Sequence, residues 1–216
     1  MELADSVVRW QTEVAAMGKS WHQLRELLRQ RAYQRGQFRL SSGRVSPYYI
    51  DGRLITLWPE GCVLVGDLCF HKLRGRGLDA VGGLTLGADP MVTAIAYASH
   101  QAGEPLPAFI VRKEAKEHGR QRQIEGPPLE RGMRVAIVDD ALTTGGSALQ
   151  AIEAVEAIGC VVATALVLVD RLEGGREVLA QRGYRLESVF TIHDIDPSLA
   201  QAPDPEGAPS RVLTDG

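Results

Sequence analysis

One stretch, residues 135–151, limits what the chain can fold into more than any other. Val135, Ala136, Ile137 and Val138 form an apolar run without polar alternation, as expected of a strand buried on both faces of a parallel sheet. Asp139 and Asp140 follow at its C-terminal end, the end at which open α/β sheets bind ligands. Next come Ala141, Leu142, Thr143, Thr144, Gly145, Gly146 and Ser147. The double glycine permits a tight turn, so successive N–H groups and the hydroxyls of Thr143, Thr144 and Ser147 can converge on an anion such as phosphate where the next helix starts. Leu149, Ile152, Val155 and Ile158 recur at near-helical spacing and predict an apolar face laid on the sheet.

The acidic pair separates this loop from the common nucleotide loops. There is no Gly-x-x-x-x-Gly-Lys, and no Gly-x-Gly-x-x-Gly opening a helix. Carboxylates beside a phosphate repel it unless they face donors such as ribose hydroxyls, or a Mg²⁺ lies between them and the ligand. A sugar phosphate bound with a metal meets both conditions. The stretch resembles the phosphoribosyl pyrophosphate (PRPP) signature of the type I phosphoribosyltransferases. That resemblance implies that Asp139 and Asp140 hold the ribose 2′- and 3′-hydroxyls, while Ala141, Leu142, Thr143, Thr144, Gly145, Gly146 and Ser147 cradle the 5′-phosphate. The plainer alternative is a capped helix after a buried strand, although a cap needs one acid and no double glycine.

At 216 residues the chain suits one well-buried α/β domain with an appendage. The net charge of -3 argues against general nucleic-acid binding. No apolar run reaches the roughly 18 residues that span a bilayer, and the N-terminal residues, with Glu2 and Asp5, lack the basic-then-apolar pattern of a signal peptide. The expectation is a cytoplasmic protein with neither nucleic acid nor membrane as partner. Cys62, Cys69 and Cys160 are odd in number and form no Cys-x-x-Cys pair, so they are expected to be reduced packing residues.

Residues 1 to about 35 predict two helices broken at Gly18 and Lys19, the second starting near Ser20 and carrying Leu24, Leu27, Leu28 and Ala32. Residues 38–51, punctuated by Gly43 and Pro47, predict a short hairpin outside the rhythm that follows, hence a small lid. From Pro59 the pattern is a helix (Val63, Leu64, Leu68, Leu73), a strand at 80–83, a loop at 87–90, a helix at 91–102 and a strand at 108–111. Such alternation predicts a parallel sheet with right-handed crossovers. Residues 82–87 form a second glycine-rich strand end able to offer N–H groups to a pyrophosphate. His71 and His100 fall on helix surfaces. A strand at 161–170, a helix at 175–182 and a strand at 187–192 complete the core. The residues from Pro197, with Pro203, Pro205, Gly207 and Pro209, predict a disordered tail. The expected organisation is N-terminal helices and hood at 1–58, an α/β core at 59–196 and the tail at 197–216.

Two further stretches carry the resemblance. Residues 38–51 are similar to the Phe-x-Leu-x-Ser-Gly-x-x-Ser-Pro-x-Tyr segment of orotate phosphoribosyltransferases, whose hood covers the pyrimidine. Tyr48 and Tyr49 then either pack the hood or line the base pocket. Many relatives have lysine where Ser41 stands, so that lysine's contribution does not carry over. Residues 112–126 have almost nothing to bury and contain Gly119 and Gly126, as a mobile closing flap would. Arg112, Lys113, Lys116 and His118 in this flap suit a departing pyrophosphate. The order Arg-Lys-Glu-x-Lys-x-His-Gly closely resembles the catalytic loop of the same family, which implies Lys116 as chief catalytic residue, supported by Arg112, Lys113 and His118. The sequence Arg120-Gln121-Arg122-Gln123 departs from relatives that have glycines there.

Arg171, after the strand ending in Asp170, has the fork geometry that pairs with a carboxylate. The resemblance assigns it the carboxylate of orotate, with Thr143, Tyr48 and Tyr49 on the same substrate. The implied fold is α/β, the type I phosphoribosyltransferase fold, a parallel sheet flanked by helices with a small N-terminal hood. The implied reaction moves the 5-phosphoribosyl group of PRPP to orotate, giving orotidine 5′-monophosphate and pyrophosphate in pyrimidine biosynthesis. Mg²⁺ would be bound through PRPP rather than by direct protein ligation, and the protein would be a homodimer with shared active sites. A purine phosphoribosyltransferase would share the PRPP stretch but not the hood or flap motifs. A non-catalytic PRPP-sensing regulator would need a basic effector surface and no Lys116 or His118.

Overall fold

The computed structural model describes residues 2–39, 45–114 and 123–201. Its main sheet has six strands: β3 (Ala80–Leu84), β4 (Ala108–Val111), β5 (Ile124–Glu125), β6 (Arg134–Leu142), β7 (Val161–Asp170) and β8 (Leu186–Thr191), in the order β5-β4-β3-β6-β7-β8. All neighbours are parallel except β4 and β5. The central position of β6 follows from its residues. Ala136 and Val138 join a core cluster on one face, and Val135 and Ile137 join a second cluster on the other. A strand buried on both sides has no use for polar alternation.

Helices α3 (Pro59–Leu73) and α4 (Ala88–Gln101) supply the first cluster, together with α1 (Glu2–Arg31). Helices α5 (Gly146–Ala157) and α6 (Gly175–Gln181) supply the second. The face that α5 lays on the sheet consists of Ala148, Ala151 and Ala154 beside Ile152 and Val155. Leu149 is only partly buried, and Ile158 is 45% exposed beyond the helix end. Small alanines bring the helix close to the strands, and the wider spacing read from the sequence overstated the role of the large residues.

Several boundaries differ from expectation. The N-terminal residues form one helix, α1, through Gly18 and Lys19. Gly18 is exposed with nothing near its Cβ position, and a helical glycine costs about 1 kcal/mol, too little to break a helix anchored further along. The anchor is Leu24, Leu27, Leu28 and Ala32, all in the core, with Trp21 donating to the Val189 carbonyl at 3.1 Å. Helix α4 begins at Ala88 rather than Met91, because Pro90 in a first turn has no intrahelical hydrogen bond to lose. A short helix, α2 (Arg53–Thr56), was not foreseen. Nor was β5, whose two residues are fixed by pairing Ile110 with Glu125 and Val111 with Ile124, not by any periodicity of their own.

The hood is a separate antiparallel pair, β1 (Tyr33–Arg39) and β2 (Val45–Ile50), so the predicted hairpin is present and starts earlier than read. After β8 come α7 (Ile192–Ile195) and a 3₁₀ turn at Pro197–Gln201, where the first residues of a disordered tail were expected; residues 202–216 of that tail lie outside the described residues. Leu199 packs against the core, and Asp196 accepts hydrogen bonds from Tyr33 and from Arg35 Nε at 2.7 Å. Asp196, the last residue of the expected core, thereby holds the base of the hood, with Ser198 of the expected tail also accepting from Arg35. Cys69 and Cys160 are buried and Cys62 is half-buried, all unpaired.

Gly82 and Gly83 lie inside β3, not in the turn after it. A Cβ on Gly82 would sit 2.2 Å from the Phe109 ring, and one on Gly83 would sit 2.1 Å from the Val138 carbonyl oxygen. These glycines let neighbouring strands and side chains close up. Gly82→Ala should therefore cost about 1–3 kcal/mol by overpacking. Its melting temperature should fall by about 2–4 °C per kcal/mol, and adding Phe109→Leu should recover part of the loss. Full additivity of the two destabilisations would show that the ring is not the obstacle.

Candidate active site

At the end of β6, Asp139 is 8% exposed and Asp140 is half-buried, with the Asp140 N–H donating to Asp139 Oδ1 at 3.0 Å. Burial pushes the Asp139 carboxyl well above the usual carboxylate range, and the neighbouring Asp140 charge adds to it. Asp140 is raised by burial and then by the charge of Asp51. Asp51 itself is lowered by hydrogen bonds from Arg53, whose Nε and Nη2 reach its two oxygens at 2.9 Å each. Three acids and one guanidinium thus crowd one wall.

Two glycines make that crowding possible. A Cβ on Gly87 would lie 2.6 Å from Asp140 Oδ1 and 2.7 Å from Asp139 Oδ1. One on Gly52 would lie 2.8 Å from Asp140 Cβ. The loop after β3 and the start of α2 therefore press their backbones against the acid pair. Between them opens a cleft of about 260 Å³, lined by both acids, Asp51, Arg53, Tyr49, Lys113, Ala141, Ser147 and the Leu84–Gly87 loop. An adjoining cleft of about 480 Å³ shares Thr85 and Lys113 and adds Arg112 and Glu114.

On the far side of the acids the chain turns at Gly145, whose φ of 86° is left-handed, into α5. No side chain among the described residues caps that helix, so its first N–H groups are open to an anion. Thr144, Gly146 and Ser147 are exposed and Thr143 half-exposed there, whereas the Leu142 side chain is 1% exposed in the core and leaves only its backbone for a ligand.

The flap is clamped at its base. Arg112 N–H donates to the Gln123 carbonyl at 2.8 Å, Gln123 Nε2 returns a bond to the Arg112 carbonyl at 3.1 Å, and Gln150 of α5 holds the Lys113 carbonyl at 2.7 Å. Lys116 and His118 lie outside the described residues, as does Ser41.

Strand alternation separates the two hood tyrosines. Tyr49 is 38% exposed and faces the acid cleft, while Tyr48 is 6% exposed and faces Arg171. Arg171 is not a surface ion-pair residue. Its side chain is 5% exposed, paired with Glu173 at 2.8 Å and set 4.8 Å from the Tyr48 ring centroid, and its Nη2 reaches Ser46 Oγ at 3.5 Å. It stands beneath the hood rather than on the wall of the acid cleft.

Asp51, Gly52, Arg53, Gln150 and Glu173 were missed in the sequence. Asp51 was read as the end of the hairpin, Gly52 and Arg53 carried no signal, and no spacing reveals that the three return to β6. Glu173 had a signal: Glu173-Gly174-Gly175 repeats, after a second strand, the order of acid, double glycine and helix seen around Asp140.

The raised carboxyls bear on stability with a definite sign. A folded-state pKa above the unfolded one stabilises at low pH, and that contribution is lost as pH rises through the raised value. Ligand-free Asp140→Asn should therefore melt higher than wild type near pH 8, by about 2–4 °C for each kcal/mol of relieved repulsion. The gain should fade as pH falls toward the ordinary carboxylate range. Melting curves that coincide across this range would mean that the pair carries no such cost.

A family profile described as the phosphoribosyl transferase domain matches residues 63–193. The chain is 46% identical over 172 residues to an orotate phosphoribosyltransferase of Nostoc sp., covering 80% of this chain and 83% of that protein. Among solved structures, it is similar to Mycobacterium tuberculosis orotate phosphoribosyltransferase in complex with Fe(III) dicitrate, with a TM-score of 0.73 and 42% identity over 82% of this chain and 99% of that one. The same enzyme in complex with PRPP gives a TM-score of 0.69 at 39% identity, over 82% and 98% of the two chains. A profile match over most of the length, on a fold whose acid pair, helix start and hood meet in one region, means that the chain belongs to the phosphoribosyltransferase family, among the orotate phosphoribosyltransferases.

Proposed function

We propose that the chain transfers the 5-phosphoribosyl group of PRPP to orotate, releasing pyrophosphate and giving orotidine 5′-monophosphate for pyrimidine synthesis. The observation that carries this reading is the buried acid pair beside an uncapped helix start, under a hood that holds an arginine. In the reaction the C1–O bond of PRPP breaks, its electron pair leaves with pyrophosphate, and a ring nitrogen of orotate supplies the pair of the new C1–N bond, its proton passing to the released pyrophosphate. Positive charge on the ribosyl carbon and negative charge on the leaving group must be stabilised while water is kept out. Asp139 and Asp140 take the ribose hydroxyls, and the carboxylate form is the one that accepts two such donors. The residues from Ala141 to Ser147 take the 5′-phosphate. Arg112, Lys113, Lys116 and His118 balance the charge of the departing pyrophosphate. Arg171 takes the orotate carboxylate in exchange for Glu173, with Thr143 and the two tyrosines completing the base side.

A Mg²⁺ ion fits this wall. Both acids turn oxygens toward Gly87, an all-oxygen donor set suited to a hard cation. In this reading the ion is carried largely by substrate oxygens rather than by direct protein ligation. When bound, it would neutralise phosphate charge. We further propose a homodimer. Leu54 on α2, Leu57 and Trp58 in the link to α3, Val63 on α3 and Tyr97 on α4 are exposed apolar residues, and exposed apolar surface is what a partner covers. No helix among the described residues is long and apolar enough to cross a membrane, and a cytoplasmic setting is part of the proposal.

Loss of orotate absorbance in the presence of PRPP and Mg²⁺ tests the activity directly. Arg171→Ala should raise the KM for orotate by an amount equal to about 2–5 kcal/mol while PRPP binding stays near wild type. Equal weakening of both substrates would remove Arg171 from the orotate side. Sharing of sites is tested by mixing the Lys116→Ala and Asp140→Asn proteins, each nearly inactive alone. After subunit exchange, about a quarter of sites should carry neither defect, and persistent inactivity would place Lys116 in its own subunit's site.

A further inference from the structure

The turn between β7 and α6 sits directly behind the anion-binding loop. Gly175 is buried and donates its N–H to the Thr143 carbonyl at 2.9 Å, and Arg171 donates its N–H to the Leu142 carbonyl at 3.0 Å. A Cβ on Gly175 would lie 2.5 Å from the Thr143 oxygen, 2.9 Å from the Gly145 nitrogen and 2.9 Å from Leu142 Cγ. In return, a Cβ on Gly145 would lie 3.3 Å from the Gly175 carbonyl. Two glycine turns therefore stand back to back, in contact through backbone atoms and through the Leu142 side chain, which is itself packed in the core. The rear turn is itself fixed. The fully buried Asp170 carboxylate accepts from the Leu172 N–H at 2.9 Å and from Arg176 Nε at 2.9 Å. Gly174, at a φ of 93°, supplies the left-handed residue that opens α6.

We propose that Gly175 is a positioning residue: a backbone brace that sets the height of Thr143 and Gly145, and so the convergence of the loop's N–H groups and hydroxyls on a phosphate. The inference rests on the reading of residues 143–147 as the phosphate subsite. Gly175 touches no substrate in this arrangement. Its role is exercised through a contact that any side chain would push apart, and pushing it apart moves the loop because the Asp170–Arg176 pair holds the other side.

Ribose 5-phosphate is a suitable probe, since it carries the ribose and phosphate but neither pyrophosphate nor base. In Gly175→Ala, its affinity and the KM for PRPP should both weaken about tenfold to a hundredfold, the size expected of an ångström-scale misplacement, with a much smaller change in the KM for orotate. A folded Gly175→Ala protein that binds ribose 5-phosphate as tightly as wild type overturns the brace. Should the variant not fold, amide exchange of the wild type decides. Ribose 5-phosphate should slow exchange at residues 173–177, which it does not touch, together with residues 141–149. Protection confined to 141–149 overturns the brace while leaving the phosphate subsite intact. Absence of both binding and protection at 141–149 in wild type would overturn the phosphate subsite, and the brace with it.

Discussion

Two carboxylates side by side at the end of a buried strand are costly to keep, and the arrangement of this protein depends on keeping them. Desolvation favours protonation of Asp139 and Asp140, the Asp140 charge adding to the effect on Asp139 and the Asp51 charge to that on Asp140. Even so, the chain brings Asp51 close and presses two glycine backbones against the pair. A protein selected only for stability would place apolar side chains there. The expense makes sense if the site is completed by a ligand rich in hydroxyl donors, which satisfies the carboxylates without a protein cation having to fill the cleft.

The rigid sheet makes such a site possible. Its three walls come from separate places: the β3–α4 loop, the β6–α5 loop and the segment that follows the hood. The first two are fixed by strands buried on both faces, and their spacing is that of neighbouring strands. The third is fixed by the Asp51–Arg53 pair and by the close approach of Gly52. Arg53, the guanidinium on this wall, is paired with Asp51, while Arg112 and Lys113 stand at the base of the flap and Arg171 beneath the hood. The acids are therefore not neutralised in advance by the cations that a pyrophosphate or a carboxylate would recruit.

Much of this was legible in the sequence because the central strand, the acids and the double glycine are local signals with separate physical meanings. The parallel order of the core and the hood hairpin were equally readable from periodicity and turn residues. What was hidden shares one property, dependence on contacts distant in sequence. The continuity of α1 through Gly18 rests on leucines packed against α3 and α7. β5 exists only as a partner of β4, and Asp51, Gly52 and Arg53 matter only because they return to Asp140. Tyr48 and Tyr49 looked equivalent until strand alternation sent one toward Arg171 and the other toward the acids. The glycines of β3 read as a strand end that offers its N–H groups to a ligand because a sequence does not distinguish that use from leaving room for Phe109.

The base of the hood is tied to Asp196, 161 residues beyond Arg35. On a ribosome the strands of the hood emerge early, yet the carboxylate that fastens Tyr33 and Arg35 leaves the tunnel only after the whole sheet has been made. A nascent chain can therefore fold its central strands and phosphate loop while the cover over them is still unfastened. The site is finished last at its oldest end, so a half-made chain that has the acid pair still lacks the fastening that holds the hood over it.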